Sequence, residues 1–375
     1  MKSLGRIVRA LAILFLVASS RFAFAAQDAS IDQLLKRLPA PEKLVKPSVE
    51  RAVEQRDPAL QDKMGSDILT IWRNGKISRA LELSRTLVQR YPRSAGAHCL
   101  RGVLALELRQ YGEAAVAFRQ SVALQPGFAL SHFGLAVVEA TQGHFSAAMT
   151  PLLKLSRLEP NSPLVWEILS DCAQRLGRKE DSVTYARRAT VLAPAAIDTW
   201  LHLARAENSL GHTEGTLSAL TRAAEVSPDS ATILSLVGFS YINLNRIPQA
   251  IPPLQRAARL APKDFLVQSQ LGYCLQATGQ VDAGITHLRL GANLAPKTYG
   301  PVWDHLGVAY QKKGQHAEAV KAFEKATQIM PKYRLSWQHL AAEYRILGRV
   351  DDANRAASRA QSLPSSSAQS RSRKA

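Results

Sequence analysis

Residues 303–331 read WDHLGVAYQKKGQHAEAVKAFEKATQIMP. Trp303, Leu306, Gly307 and Tyr310 fall at i, i+3, i+4 and i+7, which is one face of a helix. Gly314 offers a left-handed stop. Ala319, Phe323 and Ala326 mark a second helical face, and Pro331 ends it because proline cannot continue a helix. The same punctuation runs back through the chain. Pro92, Pro126, Pro160, Pro194, Pro228, Pro262 and Pro296 stand 34 residues apart; Pro331 follows after 35, with one residue inserted near Tyr299, and Pro364 after 33. A fixed period of this length means a stacked array, because a unit that cannot bury its own apolar face must bury it on its neighbours.

Each column has a physical reason. The turn column holds Gly75, Gly143, Gly177, Gly211, Gly279, Gly314 and Gly348, with Asn245 and Arg109 as departures. Asparagine is the next best residue for a left-handed stop, whereas arginine costs some stability. Gly102, Ala136, Ala204, Gly238, Gly272 and Ala341 are small enough for two helices to approach closely. Asp57-Pro58 reads as an N-cap followed by a first-turn proline, the start of the first full repeat. Pro151 and Pro252-Pro253 fall inside expected second helices, where a local kink is expected.

The pattern W-x2-L-G-x2-Y, A-x3-F, P resembles the tetratricopeptide repeat family. The resemblance implies an all-α, right-handed superhelical solenoid of about nine helix–turn–helix repeats over residues 61–364. It also implies that partners bind the concave face lined by the first helices. Reading those columns along the chain gives Phe133, Val137, Glu167, Asp171, Arg175, Arg205, Asn208, Phe239, Asn243, Tyr273 and Gln276 as the partner-binding set. Aromatics beside charged groups are the composition of binding hot spots. Packing of Phe133, Phe239 and Tyr273 against neighbouring first helices is the other reading. Two subtypes of the family fit poorly. The column of Asp171 holds no asparagine, against a chaperone-type carboxylate clamp. The column of Ile168 lacks the asparagine ladder of O-linked N-acetylglucosamine transferases.

The ends carry other information. Lys2, Arg6 and Arg9, the apolar run 10–18 and Ala23-Phe24-Ala25 read as a secretory signal over 1–25, cleaved or kept as an inner-membrane anchor. Residues 26–60 read as a linker or cap, and 365–375 as a basic tail too polar to fold. An exported, periplasmic protein is expected. Net charge is +18. Setting aside +4 in residues 1–25 and +3 in the tail leaves +11 on the repeats, which draws the chain to anionic polysaccharide or lipid. Nucleic acid is a poor partner for an exported chain without an aromatic-plus-basic box.

Cys99, Cys172 and Cys274 lie too far apart in the array to pair, so buried small-hydrophobe roles are expected. No HExxH, CxxC, GxSxG or GxGxxG occurs in the sequence. His202, His305 and His339 share one column without a fixed carboxylate beside them, too little for a metal site. No cofactor and no catalytic residue are implied. The expected function is a non-catalytic scaffold of the cell envelope binding a partner protein or extended peptide, with self-association through the exposed ends of the stack left open.

Overall fold

The computed structural model describes residues 57–364. The signal segment, most of the linker and the basic tail lie outside the described residues. All regular structure among the described residues is helical. After a short helix Pro58–Gln61 come nine helix pairs, from Lys63–Arg73 with Ile77–Arg90 to Arg334–Ile346 with Val350–Gln361. The chain divides into two compact units between Val226 and Ser227. Five of the pairs lie before that point and four after it. Within each unit every first helix packs on its own second helix, and several neighbouring first helices also touch, among them Ala95–Glu107 with Ala129–Thr141 and Pro163–Arg175 with Ile197–Ser209.

The turn column behaves as its residue types require. All seven glycines have positive φ, between 73° and 89°. Arg109 and Asn245 take the same conformation at φ 57° and 56°. An L-residue there meets its own carbonyl, so the strain sits where glycine is missing. The small column is equally literal. A methyl group on Gly102 would stand 2.8 Å from the Phe118 ring, and one on Gly307 2.5 Å from the Phe323 ring. Both phenylalanines are fully buried, so each first helix yields volume that a second-helix side chain fills.

The aromatic column does more than pack. Trp166, Trp200 and Trp337 donate Nε1–H to the carbonyls of Pro160, Pro194 and Pro331, at 3.0, 2.8 and 3.1 Å. Gln268 donates to Pro262 at 2.9 Å, and Nε2 of His98 and His132 meets Pro92 and Pro126 at 3.0 and 2.9 Å. In these six repeats the proline carbonyl after the second helix is thereby capped by the next first helix. Tryptophan, histidine and glutamine are interchangeable here because each brings one N–H to the same place.

Asp57 joins the first repeat to the second. Its carboxylate accepts from Ala59 N–H at 3.1 Å, from Ser94 Oγ at 2.6 Å and from Gly96 N–H at 2.8 Å. The helices Phe145–Leu158 and Ile247–Leu260 continue across Pro151 and Pro252-Pro253 without interruption. Leu152 and Leu254, fully buried beside these prolines, supply the packing that offsets the lost backbone bonds. The residue inserted before Pro331 sits in the loop ahead of Pro301–Lys312, where the Tyr299 ring meets Phe265 edge-on at 5.0 Å. All three cysteines are buried and free, and burial pushes their thiols up to about 12.

Candidate functional site

The first-helix columns look different in the two units. In the N-terminal unit the apolar members are core: Phe133 is 6% exposed and Val137 1%. They offer little surface to a partner, because they belong to the buried core of this unit. Glu167, Asp171 and Arg205 are also buried, while Arg175 and Asn208 are half-buried. The Arg175 guanidinium lies 6.0 Å from the Phe145 ring centre.

Asp171 and Arg205, in the same column of adjacent repeats, form an ion pair. His202 completes it. Its Nδ1 lies 3.0 Å from Asp171 Oδ1 and 3.0 Å from Arg205 Nη2. Protonated there, the ring donates to the carboxylate; unprotonated, it accepts from the guanidinium. Glu167 lies one turn earlier on Pro163–Arg175. Burial raises its carboxyl above the usual range; Asp198 adds to this, and His202 and Arg205 oppose it. Burial raises the Asp198 carboxyl as well.

In the C-terminal unit the columns stay open. Phe239 and Tyr273 are half-buried and Asn243 is exposed, whereas Gln276 is buried. Tyr273 stacks on His305 at 4.6 Å between ring centres, and burial pushes that imidazole below its ordinary value. Leu266, Leu335 and Ile346 stand exposed on first helices of the same unit. Lys312 Nζ donates to the Gln276 carbonyl at 3.0 Å, and Gln311 donates to Glu343 at 2.6 Å. Asp304 accepts from Ser336 Oγ at 2.6 Å and lies 3.3 Å from His339 Nδ1. Burial alone would raise the Asp304 carboxyl, but these hydrogen bonds outweigh it and hold it below the usual range.

The histidine column is thus taken up by carboxylate and aromatic neighbours. No group of three or more His, Cys, Asp or Glu residues is arranged to hold a metal ion among the described residues. Sequence reading missed Asp198, which looks like an ordinary acid in the first turn of a helix. It also missed Glu139 and Glu207, acids in a column that elsewhere holds Tyr241, Tyr310 and Tyr344. An acid in a column otherwise filled by Ala105, Ala173, Leu275 and tyrosines was the available signal.

Models of the tetratricopeptide repeat family match residues 71–127, 99–163 and 300–333. No curated protein matches the chain. Similar solved structures include YrrB, described as a TPR protein with an unusual peptide-binding site. It is 18% identical over 49% of this chain and 95% of its own, with a TM-score of 0.44. MamA is 22% identical over 42% of this chain and 92% of its own, with a TM-score of 0.39. MamA from Desulfovibrio magneticus RS-1, from residue 41 to its end, is 18% identical over 46% of this chain and 96% of its own, with a TM-score of 0.42.

Proposed function

We propose that this chain, which is a tetratricopeptide repeat protein, is a non-catalytic scaffold of the cell envelope that binds a partner protein or extended peptide on its first helices. Proteins of this family are generally interaction scaffolds without catalysis. The observation that carries the reading is the open face of the C-terminal unit. There Phe239 and Tyr273 sit half-buried, and Leu266, Leu335 and Ile346 are exposed on first helices of the same unit. Partly exposed aromatics on a rigid frame anchor partners at small entropic cost. The envelope location rests on the positive, apolar and small-residue pattern of residues 1–25.

The test is capture from solubilised envelope with the tagged full chain at low and high salt. A stoichiometric protein retained at high salt, and lost on Phe239→Ala with Tyr273→Ala, supports the scaffold. Absence of any partner from the envelope fraction overturns it.

A second reading has its own observation. Lys154, Arg188 and Arg222 stand 34 residues apart on consecutive second helices of the N-terminal unit, all exposed. Such a ridge suits an anionic polysaccharide or lipid surface. Recovery of only anionic polymer, released by salt, favours that reading over the first.

A further inference from the structure

Within the C-terminal unit the turns between repeats lie on one edge of the stack, because each first helix runs away from that edge and its second helix runs back. One pattern recurs on all three of these turns: Leu260, Pro262 and Lys263; Leu294, Pro296 and Lys297; Ile329, Pro331 and Lys332. The three lysines are exposed. Leu260, Leu266, Leu294, Tyr333 and Leu335, on these same turns, are each between 36% and 46% exposed. Arg334 adds a fourth cation. Asp264 is the one acid in the turns 260–266, 294–300 and 329–335. Its carboxylate is committed to its own helix, accepting from Leu266 and Val267 N–H at 2.9 and 3.2 Å. The last three turns between repeats of the N-terminal unit, 124–130, 158–164 and 192–198, reverse the sign: they hold no Lys or Arg and two acids, Glu159 and Asp198. The whole C-terminal unit follows its edge, since residues 227–364 carry sixteen Lys and Arg against nine Asp and Glu.

A single exposed leucine is ordinary on a protein surface, but a row of them interleaved with lysine calls for a partner that suits both. A soluble anionic polymer meets the lysines and gains nothing from the leucines. The interface of an anionic bilayer takes both. Apolar side chains enter the boundary between headgroups and acyl chains, while each lysine lays its stem along them and keeps its ammonium level with the lipid phosphates. Tyr333 suits the same depth, with an apolar ring and a wet hydroxyl. We propose that the inter-repeat edge of the C-terminal unit, carried by Leu260, Lys263, Leu294, Lys297, Lys332 and Tyr333, docks the protein on the surface of an anionic lipid bilayer. The inference goes beyond the scaffold reading and does not rest on it. It also uses none of Lys154, Arg188 and Arg222 on the second helices of the N-terminal unit. Phe239 and Tyr273 lie well along their helices, away from these turns, and stay available to a protein partner.

The test uses the full chain carrying one environment-sensitive dye. Thr298→Cys places the dye on this edge, and Gln280→Cys places it on the opposite edge, at a turn within a repeat. The native cysteines are buried, so the dye goes to the new thiol. Vesicles are phosphatidylcholine alone or with about 30% phosphatidylglycerol, in about 150 mM salt. The dye at position 298 is expected to shift to the blue on the anionic vesicles, with an apparent affinity at least about tenfold above that for phosphatidylcholine alone. The dye at position 280 is expected to stay unchanged. The readout is local, so attachment through residues 1–25 alone does not produce it. Lys263→Glu with Lys297→Glu is expected to abolish the shift. Leu260→Ser with Leu294→Ser is expected to weaken the affinity at least about tenfold. All four side chains are exposed, so the thermal midpoints should hold. Equal shifts at positions 298 and 280, a shift that survives either double variant, or no shift on any vesicle overturns the inference. A shift produced by dextran sulfate but not by vesicles overturns it too, and assigns the lysines to a soluble polymer.

Discussion

Arg187 Nη2 lies 2.6 Å from Glu207 Oε1, and the same pair occurs two repeats earlier between Arg119 and Glu139, also at 2.6 Å. In both cases a histidine completes the set: His212 Nδ1 at 3.0 Å from Glu207 and His144 Nδ1 at 3.2 Å from Glu139. Arginine comes from one second helix, glutamate from the following first helix, and histidine from the turn after it. The carboxylates are buried while the arginines are mostly exposed. These are staples between successive helices of the N-terminal unit.

Removing one side of a staple leaves a buried charge. Arg187→Ala is expected to destabilise the protein by about 1–3 kcal/mol, the cost of an unsatisfied buried acceptor. Arg222→Ala breaks the exposed Arg222–Glu225 pair and should cost less than about 1 kcal/mol. Urea midpoints of the two variants check the contrast. Equal effects would mean that the buried carboxylate finds water instead.

Two glutamates are expected to respond to pH with opposite signs. Hydrogen bonds from Arg85 and Arg101 hold the Glu113 carboxyl down at about 2, against the burial that would raise it. Its contribution is fully present above the unfolded value of about 4.3 and is lost as pH falls toward about 2. Glu113→Gln should flatten stability across that acid window. Glu167 is raised by burial, so its ionised form costs stability, and that cost grows as pH rises through the folded value. Glu167→Gln should raise the thermal midpoint at pH 7 and have little effect below about pH 4.

Arg109 sits in the left-handed region at φ 57°. Arg109→Gly removes strain of about 1–2 kcal/mol, less the entropy glycine adds to the unfolded chain. A net gain of roughly 0.5–1 kcal/mol is expected. Asn245→Gly should gain less, since asparagine tolerates this conformation. Thermal unfolding of both variants tests the ranking.

Trp200 and His132 hold the same position in their repeats and cap equivalent proline carbonyls. Trp200→Phe keeps most of the apolar surface and loses the donor, with an expected cost of about 1 kcal/mol. His132→Gln keeps an N–H and should be tolerated better than His132→Leu. Equal losses for glutamine and leucine would show that packing alone matters there.

With thiols pushed up to about 12 by burial, Cys99, Cys172 and Cys274 are expected to resist a thiol reagent at pH 8 in the native protein. All three should become reactive together with unfolding in urea. Rapid native reaction at one site would mark a local opening there.

Period, helix pairing and turn sites were legible because they are local. A glycine or asparagine stop, a proline end and an apolar stripe each act within one or two helical turns. Even Arg109 was readable as a misfit, because the column around it is glycine. The site was less legible, because its residues interact across repeats. Asp171 and Arg205 looked like free groove charges and neutralise each other; Phe133 and Val137 looked available and are core. Glu167 shared their column pattern and is buried as well. Charge pairing and burial depend on which side chains face one another between helices, a relationship that spacing along the chain does not contain. The repeat itself came from the sequence, and the tertiary structure alone decided which of its charges are already satisfied.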